Sequence, residues 1–140
     1  MSKHHLIRFG ISIPETLCRQ FDNHIKEKQY TNRSEAIRDL IRNELIQNEI
    51  VQDKDVVGIL NILYNHHYQE LNEKLTSIQH HYSEIILSSM HIHLDQNNCV
   101  EVILLRGNSH KIRQIAEKLI AIKGVKHGNL NLTSTGKSLE

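Results

Sequence analysis

Three residues in the second half of the chain have the types and the spacing to bind a transition metal. His91 and His93 are two residues apart, so on a strand both imidazoles leave the same face. Cys99 follows after a short polar segment and adds a thiolate that can reach the same ion. Such ligands suit nickel, copper(II) or zinc, and the ligand types alone leave the metal open. The alternatives are an exposed polar strand face for the histidines and a small buried hydrophobe for the cysteine.

Other residues near this group could support it. Glu101 comes two residues after Cys99, so it points to the same face and could accept a hydrogen bond from a ligand histidine, although a solvated carboxylate is an equal alternative. His80 and His81 add donors of the same type, but spacing alone does not place them at the site. With eleven histidines in 140 residues, histidine is the main compositional indication of metal binding.

The elements that must position these residues follow from hydrophobic periodicity. Their order is β-α-β-β-α-β, with strands at 56–64, 85–94, 99–105 and 130–133 and helices around 71–78 and 112–122. Residues 96–98 form the turn before Cys99, and Gly124 ends the last helix. This order predicts a ferredoxin-like domain, with two helices on one sheet face and the other face free for a partner.

The first fifty residues show a different pattern. Residues 6–13 alternate apolar and polar and predict one short strand, with Arg8, Gly10 and Ser12 on its polar face. Pro14 suits the first turn of the helix that follows. A second helix begins near Asn32, which stands at capping-box spacing from Glu35, and continues to about residue 49.

A single strand followed by two helices cannot pair its own backbone groups, so we expect two copies of the strand to pair antiparallel. Their apolar faces would then be buried, and Arg8, Gly10 and Ser12 would be presented outward twice. Such a ribbon fits the DNA major groove, where Arg8 can read guanine through two hydrogen bonds, with an ordinary exposed strand charge as the alternative. Arg33 could hold a phosphate at the start of the second helix, with a solvated charge as the alternative.

Composition limits the remaining classes. The net charge is +1, with eight Lys and Arg against seven Asp and Glu in residues 1–50, so any DNA contact depends on a few placed residues. We find neither a membrane-length apolar run nor a signal-peptide core, and we expect a cytoplasmic α+β protein whose two cysteines stay reduced. We divide it into a DNA-binding domain at 1–50, a linker at 51–55, a metal-binding domain at 56–135 and a tail at 136–140.

Over nearly its whole length the chain resembles the nickel-responsive transcriptional regulators, which join a ribbon-helix-helix domain to an ACT-like domain. The residues that carry the resemblance are Tyr30–Asp39, Gln79–His81, His91–His93, Asp95–Glu101, Arg106–Asn108 and Gly124–Gly128. It implies a homotetramer, a dimer of ribbon dimers, that binds a double-stranded DNA operator. The chain departs from the family pattern at Gly10, where a hydroxyl residue is usual and glycine offers no side-chain hydrogen bond to a base.

The same resemblance assigns roles to particular residues. It implies that Ni²⁺ is bound square-planar by His91, His93 and Cys99 of one chain and His80 of another. Gln79 and Glu101 match the supporting residues, and Arg8, Gly10 and Ser12 match the base-reading positions. Glu35 and Asp39 match carboxylates that help to hold a second cation between the DNA-binding domain and the core, although a helix cap and a solvated charge explain them equally well.

The leading hypothesis is therefore a nickel-responsive, sequence-specific repressor of nickel-uptake genes. The alternative is a cytoplasmic protein that buffers or delivers nickel, copper or zinc, which would have no use for an outward Arg8. A zinc enzyme is a weaker third reading, because four protein ligands leave a tetrahedral ion no open position for water. We find no nucleophile with its base and no Gly-rich phosphate loop, and we expect no enzymatic activity.

Overall fold

The structure, a computed structural model of a single chain, describes residues 5–139. The chain forms two compact units, one ending at Ile41 and one starting at Arg42. In the first unit α1 spans Glu15–Glu27, and α2 spans Arg33–Val51 and so continues into the second unit. Both helices that the sequence predicts are thus present, with Pro14 at the N-cap of α1.

Residues 5–14 form neither helix nor strand within one chain. Their apolar side chains are exposed, with 86% of Ile7 and 70% of Phe9 accessible to solvent. One chain alone therefore does not form the strand expected at 6–13, because it offers that strand no partner. Pairing of this segment with a second copy stays a prediction.

The expected N-terminal cap of α2 is present. At its other end, α2 extends to the first residue of the expected linker. Asn32 Oδ1 accepts the backbone N–H of Glu35 at 2.9 Å, as an N-cap side chain does. The Glu35 carboxylate does not close the capping box but pairs with Arg38 at 2.6 Å. Helix α2 then runs to Val51, and only residues 52–54 separate it from the next strand.

The second unit has the predicted order of strands and helices. Its elements are β1 Asp55–Asn65, α3 Gln69–His81, β2 Ile86–His93, β3 Asn98–Asn108, α4 Ser109–Ile120 and β4 Val125–Ser134. The four strands form one sheet in the order β2-β3-β1-β4, and every neighbouring pair is antiparallel. This is the ferredoxin-like arrangement that the sequence predicts.

The core of this unit lies between one face of the sheet and the two helices. Alternate side chains of β1 and β3 are buried, as expected when one sheet face is covered. They pack with residues of α3 and α4, and the core includes Leu60, Ile62, Ile103, Leu105, Leu71, Leu75, Ile112, Ile115 and Leu119. The opposite sheet face is also apolar but is partly exposed, with Ile59, Met90, Ile92 and Leu104 between 36% and 56% accessible.

Gly128 on β4 allows α4 to lie close to the sheet. A Cβ atom at this position would overlap Cγ1 of Ile120 and lie 3.1 Å from its Cδ1. The backbone of β4 therefore approaches α4 more closely than a residue with a side chain would permit.

We expect Gly128→Ala to lower the free energy of unfolding by about 1–3 kcal/mol, because the added methyl group overpacks the helix-sheet interface. Urea denaturation followed by circular dichroism measures this change. Asn131→Ala, an exposed position on the same strand, is the matched control and should stay close to the wild type. Equal stability of Gly128→Ala and the wild type would contradict this packing of α4.

Candidate metal centre

The β2-β3 hairpin places the predicted metal-binding residues side by side. His93 pairs with Cys99 in the strand register, and His91 pairs with Glu101. Residues directly opposite each other in an antiparallel pair share a face, so all four side chains leave the sheet on the same side. Tyr64 of β1 pairs with Cys99 from the other neighbouring strand, which puts its ring on that face as well.

Asp95 holds the turn that sets this register. Its Oδ1 accepts the backbone N–H groups of Asn97 and Asn98, each at 2.8 Å, and its Oδ2 accepts the Asn98 side chain at 2.9 Å. The side-chain hydrogen bond from Asn98, with the two backbone bonds, lowers the pKa of Asp95 to about 2. The carboxylate therefore stays ionised and keeps His93 and Cys99 opposite each other.

A cavity of about 340 Å³ opens between this part of the sheet and α3. It is lined by Tyr64, His66, Asn72, Leu75, Thr76, Gln79, His91, His93, Cys99 and Glu101. Three of the four predicted nickel ligands and both predicted supporting residues therefore meet at one place. The fourth, His80, does not line this cavity but is exposed in the last turn of α3.

A network of polar contacts surrounds the Glu101 carboxyl group, which is fully buried. The Tyr64 hydroxyl donates to Oε2 at 3.0 Å, and Gln79 Nε2 donates to Oε1 at 2.8 Å. His91 faces both groups, since its Nδ1 lies 3.0 Å from the Tyr64 hydroxyl and its Nε2 lies 3.4 Å from Glu101 Oε1. The structure thus places Glu101 where the sequence predicts a hydrogen-bond acceptor for a ligand histidine.

Sequence reasoning missed Tyr64 as a site residue, because it saw only the end of an apolar strand there. The hydroxyl lies within hydrogen-bonding distance of both His91 and Glu101. Burial raises the pKa of the Tyr64 hydroxyl, and the adjacent Glu101 charge raises it further. Tyr64 therefore remains a neutral donor to Glu101 at neutral pH.

His66 is a second residue of this cavity that the sequence did not assign to the site. Its ring meets the His93 ring edge-on at a centroid distance of 4.4 Å. Its Nδ1 is buried and has no hydrogen-bond partner among residues 5–139. Burial lowers the pKa of His66, so its imidazole is neutral and adds an unused nitrogen to the cavity.

The donors fit nickel in chemical type, but the described part of one chain does not complete a site. Imidazole nitrogens and a thiolate are ligands that nickel accepts, and the Cys99 side chain is buried against the cavity. Within residues 5–139, however, no group of three or more His, Cys, Asp or Glu side chains is arranged to hold a metal ion. The ring nitrogens of His91 are also already engaged, because Nδ1 faces the Tyr64 hydroxyl and Nε2 faces the Glu101 carboxylate.

The residues expected to contact DNA lie in the first unit. Arg8, Gly10 and Ser12 are all exposed. Arg33 is expected to hold a phosphate. In this chain its guanidinium makes two hydrogen bonds of 2.7 Å to the Asp22 carboxylate of α1. The hydrogen bond from Arg33 is also the main cause that lowers the pKa of Asp22.

The two carboxylates expected at a second cation also have partners within the first unit. Asp39 accepts a hydrogen bond of 2.6 Å from the Tyr30 hydroxyl. Glu35 pairs with Arg38 on the same helix. Glu35 and Asp39 lie one turn apart on α2 and so share a face of that helix.

Known families match both parts of the chain. Residues 7–48 match the family described as ribbon-helix-helix protein, copG family, and residues 57–133 match the NikR C terminal nickel binding domain. A nickel-responsive regulator from Geotalea uraniireducens is 50% identical over 134 residues, covering 95% of this chain and 96% of that relative. One from Thermococcus kodakarensis is 47% identical over 135 residues, covering 96% and 98%.

Solved structures support the fold. An uncharacterized protein from Thermotoga maritima matches with a TM-score of 0.51 and 20% identity, covering 56% of this chain and 98% of that chain.

Among the residues that the structure describes, no helix is both long and apolar enough to cross a membrane.

Fold and family matches together define the class: a transcription regulator with a ribbon-helix-helix DNA-binding domain and a metal-binding domain, not an enzyme. Within this class, the chain belongs to the family of nickel-responsive regulators, and nickel is its metal.

The raised pKa of Tyr64 predicts a loss of stability in alkali. The unfolded chain releases the Tyr64 proton at about pH 10, whereas the folded protein retains it at that pH. The stabilisation of the folded protein by the protonated Tyr64 hydroxyl is therefore complete below about pH 10 and decreases as the pH rises above it. Between about pH 9 and 12, we expect the free energy of unfolding to fall more steeply for the wild type than for Tyr64→Phe.

Urea denaturation at a series of pH values measures this difference. Tyr68→Phe, an exposed position, is the matched control and should follow the wild-type curve. At neutral pH, Tyr64→Phe should lower the free energy of unfolding by about 1–3 kcal/mol, because Glu101 loses a buried donor. Coinciding pH curves for Tyr64→Phe and the wild type would show that Tyr64 is not held as described.

Proposed function

We propose that the protein is a nickel-dependent repressor that binds a specific operator more tightly in its nickel-bound form and so reduces expression of nickel-uptake genes. The observation that carries this proposal is the cavity in which His91, His93 and Cys99 meet. That cavity belongs to the same chain as a ribbon-helix-helix domain. A regulator of this kind lowers uptake when nickel is abundant, which is a direct form of feedback.

For the nickel ligands we propose His91, His93 and Cys99 of one chain and His80 of another, with Gln79 and Glu101 as supporting residues. Two features support a site shared between chains. The donors among residues 5–139 of one chain are not arranged to hold an ion on their own, and His80 is exposed outside its own chain's cavity. Nickel bound in this way would supply a link between two chains.

We further propose that the protein is a homotetramer, a dimer of ribbon dimers. Two exposed apolar surfaces support association of copies. One is the N-terminal segment with Ile7 and Phe9, and the other is the open sheet face with Ile59, Met90 and Ile92. Exposed apolar surface of this kind marks contact sites in proteins.

In the operator complex, Arg8 and Ser12 would read bases, while Gly10 would let the backbone approach without adding a side-chain contact. Arg33 can contribute a phosphate contact and keep its pair with Asp22, because a guanidinium has five N–H donors and Asp22 takes two of them. Glu35 and Asp39 remain our candidates for a second cation.

Nickel dependence requires that nickel bind the DNA-binding arrangement more tightly than the other arrangements. A coupling free energy of roughly 1–3 kcal/mol would raise operator affinity about 5- to 150-fold. A metal-buffering or delivery protein is the second candidate. It would use the same cavity but would show no such increase.

DNA binding by the apo, nickel, copper and zinc forms tests the proposal, with an operator selected from a randomised duplex library by the nickel-loaded protein. Nickel should raise operator affinity the most, even where copper binds the site more tightly. Tight nickel binding with no selected sequence would favour the buffering protein instead.

The DNA-reading surface is tested by Arg8→Ala. This substitution should lose a base contact of about 1–3 kcal/mol and leave nickel affinity unchanged. Arg19→Ala, an exposed position on α1, is the matched arginine control. The ribbon assignment would be wrong if Arg8→Ala bound the operator as the wild type does.

The shared site is tested by mixing two variants, His80→Ala and Cys99→Ala. Each variant alone should lack complete sites and the thiolate-to-nickel absorption band. In a mixed symmetric pair, one site receives both missing residues and its twin receives neither, so co-refolding should restore about half of the sites in each mixed pair. If His80 binds within its own chain, verified mixing restores none, because every chain then lacks one ligand of its own site.

A further inference from the structure

The end of helix α2 is held to the start of α4 by hydrogen bonds. Ser109 Oγ donates to the carbonyl oxygen of Ile50 at 2.6 Å and lies 3.2 Å from Asp53 Oδ1. Asp53 Oδ1 also accepts the backbone N–H of His110 at 2.7 Å. Ser109 is buried, so water does not compete freely for these bonds. We call Asp53, Ser109 and the carbonyl of Ile50 the α2-α4 clamp.

Asp53 acts as the cap of a helix distant in sequence. The N-cap residue of α4, Asn108, makes no side-chain capping bond, and Asp53 supplies the acceptor from the turn after α2. The N–H of His110 is the main cause that lowers the pKa of Asp53, and an ionised carboxylate suits a helix N-terminus. Asp53 has a φ of 54°, a left-handed conformation that aspartate adopts more readily than most residues.

Further contacts hold the same part of α2 within the second unit. Ile50 belongs to the core, and Ile46 packs against it. The Glu49 carboxylate accepts a hydrogen bond from the Ser138 hydroxyl. The last two turns of α2 are therefore held by packing and by polar contacts at several points.

The clamp lies at the far end of the strand that carries the metal-site residues. Strand β3 runs from Asn98 to Asn108, with Cys99 and Glu101 near its beginning and Ser109 directly after its end. Helix α2 begins in the part of the chain that matches the ribbon-helix-helix family. Only residues 52–54 connect α2 to the sheet, and free rotation there would uncouple the orientation of α2 from the metal domain.

We propose that Asp53 and Ser109 are positioning residues for nickel-dependent DNA binding, which hold α2 on the end of β3 and so couple the ribbon-helix-helix domain to the metal centre. This inference rests on the proposed function. Without the clamp, the metal centre should still bind nickel, and the DNA-binding domain should still bind DNA. What should be lost is the dependence of one on the other.

Asp53→Gly is the strongest perturbation of the clamp, because glycine adopts a φ of 54° without strain, removes the carboxylate and also loosens the backbone of the connection. The full-length protein is titrated with nickel by the thiolate absorption band, and operator affinity is measured with and without nickel. We expect the nickel-dependent increase in operator affinity, about 5- to 150-fold in the wild type, to fall toward onefold. Nickel affinity should stay within about twofold of the wild type.

Three further variants separate this role from a structural one. Ser109→Ala removes the second clamp residue and should reduce the increase as Asp53→Gly does. Asp53→Asn keeps an acceptor at Oδ1 and tolerates the left-handed conformation, so it should retain most of the increase. Ile115→Val in the core of α4 lowers stability without touching the clamp and should leave the increase unchanged.

A lower melting temperature with a wild-type increase in both Asp53→Gly and Ser109→Ala would overturn the proposal, because the clamp would then be only a helix cap. If Asp53→Gly fails to fold, the comparison of Ser109→Ala with Ile115→Val decides in the same way. Failure of the wild type itself to bind the operator more tightly with nickel would reject the proposed function, a result distinct from failure of the clamp.

Discussion

Burial of the Glu101 carboxyl group is the constraint on which the metal centre depends. A carboxyl group removed from water must find hydrogen-bond donors, and here Tyr64 and Gln79 supply them from β1 and α3. These bonds tie two sheet strands to the helix that carries His80, and they place His91 beside the same group. The geometry of the cavity therefore follows from satisfying one buried residue.

A single chain leaves apolar side chains exposed and metal donors incomplete, and another chain could supply the missing contacts in each case. The N-terminal segment exposes Ile7 and Phe9, the open sheet face exposes Met90 and Ile92, and the donors around Cys99 do not complete a metal site. The same event, association of copies, would cover the apolar surfaces and bring His80 of another chain to the cavity. Assembly and metal binding would then be linked, because each would stabilise the other.

The proposed coupling depends on the connection between α2 and β1. The connection is shorter than the linker expected at residues 51–55, because Val51 ends α2 and Asp55 starts β1, which leaves residues 52–54 between them. The polar composition of this stretch could not predict where α2 ends. That end is set by burial of Ile50 in the core and by the hydrogen bond from the His110 N–H to Asp53 at the start of α4. A short, held connection can transmit orientation, whereas a flexible one cannot.

The sequence by itself determined the order of helices and strands, the shared face of His91, His93 and Cys99, and the family, because periodicity and local spacing are properties of neighbouring residues. Only the tertiary structure brought Tyr64 and His66 into the cavity, paired Arg33 with Asp22, and placed Asp53 at the start of α4. These contacts join residues 11 to 57 positions apart. Their partners depend on strand register and helix packing, which no local pattern encodes.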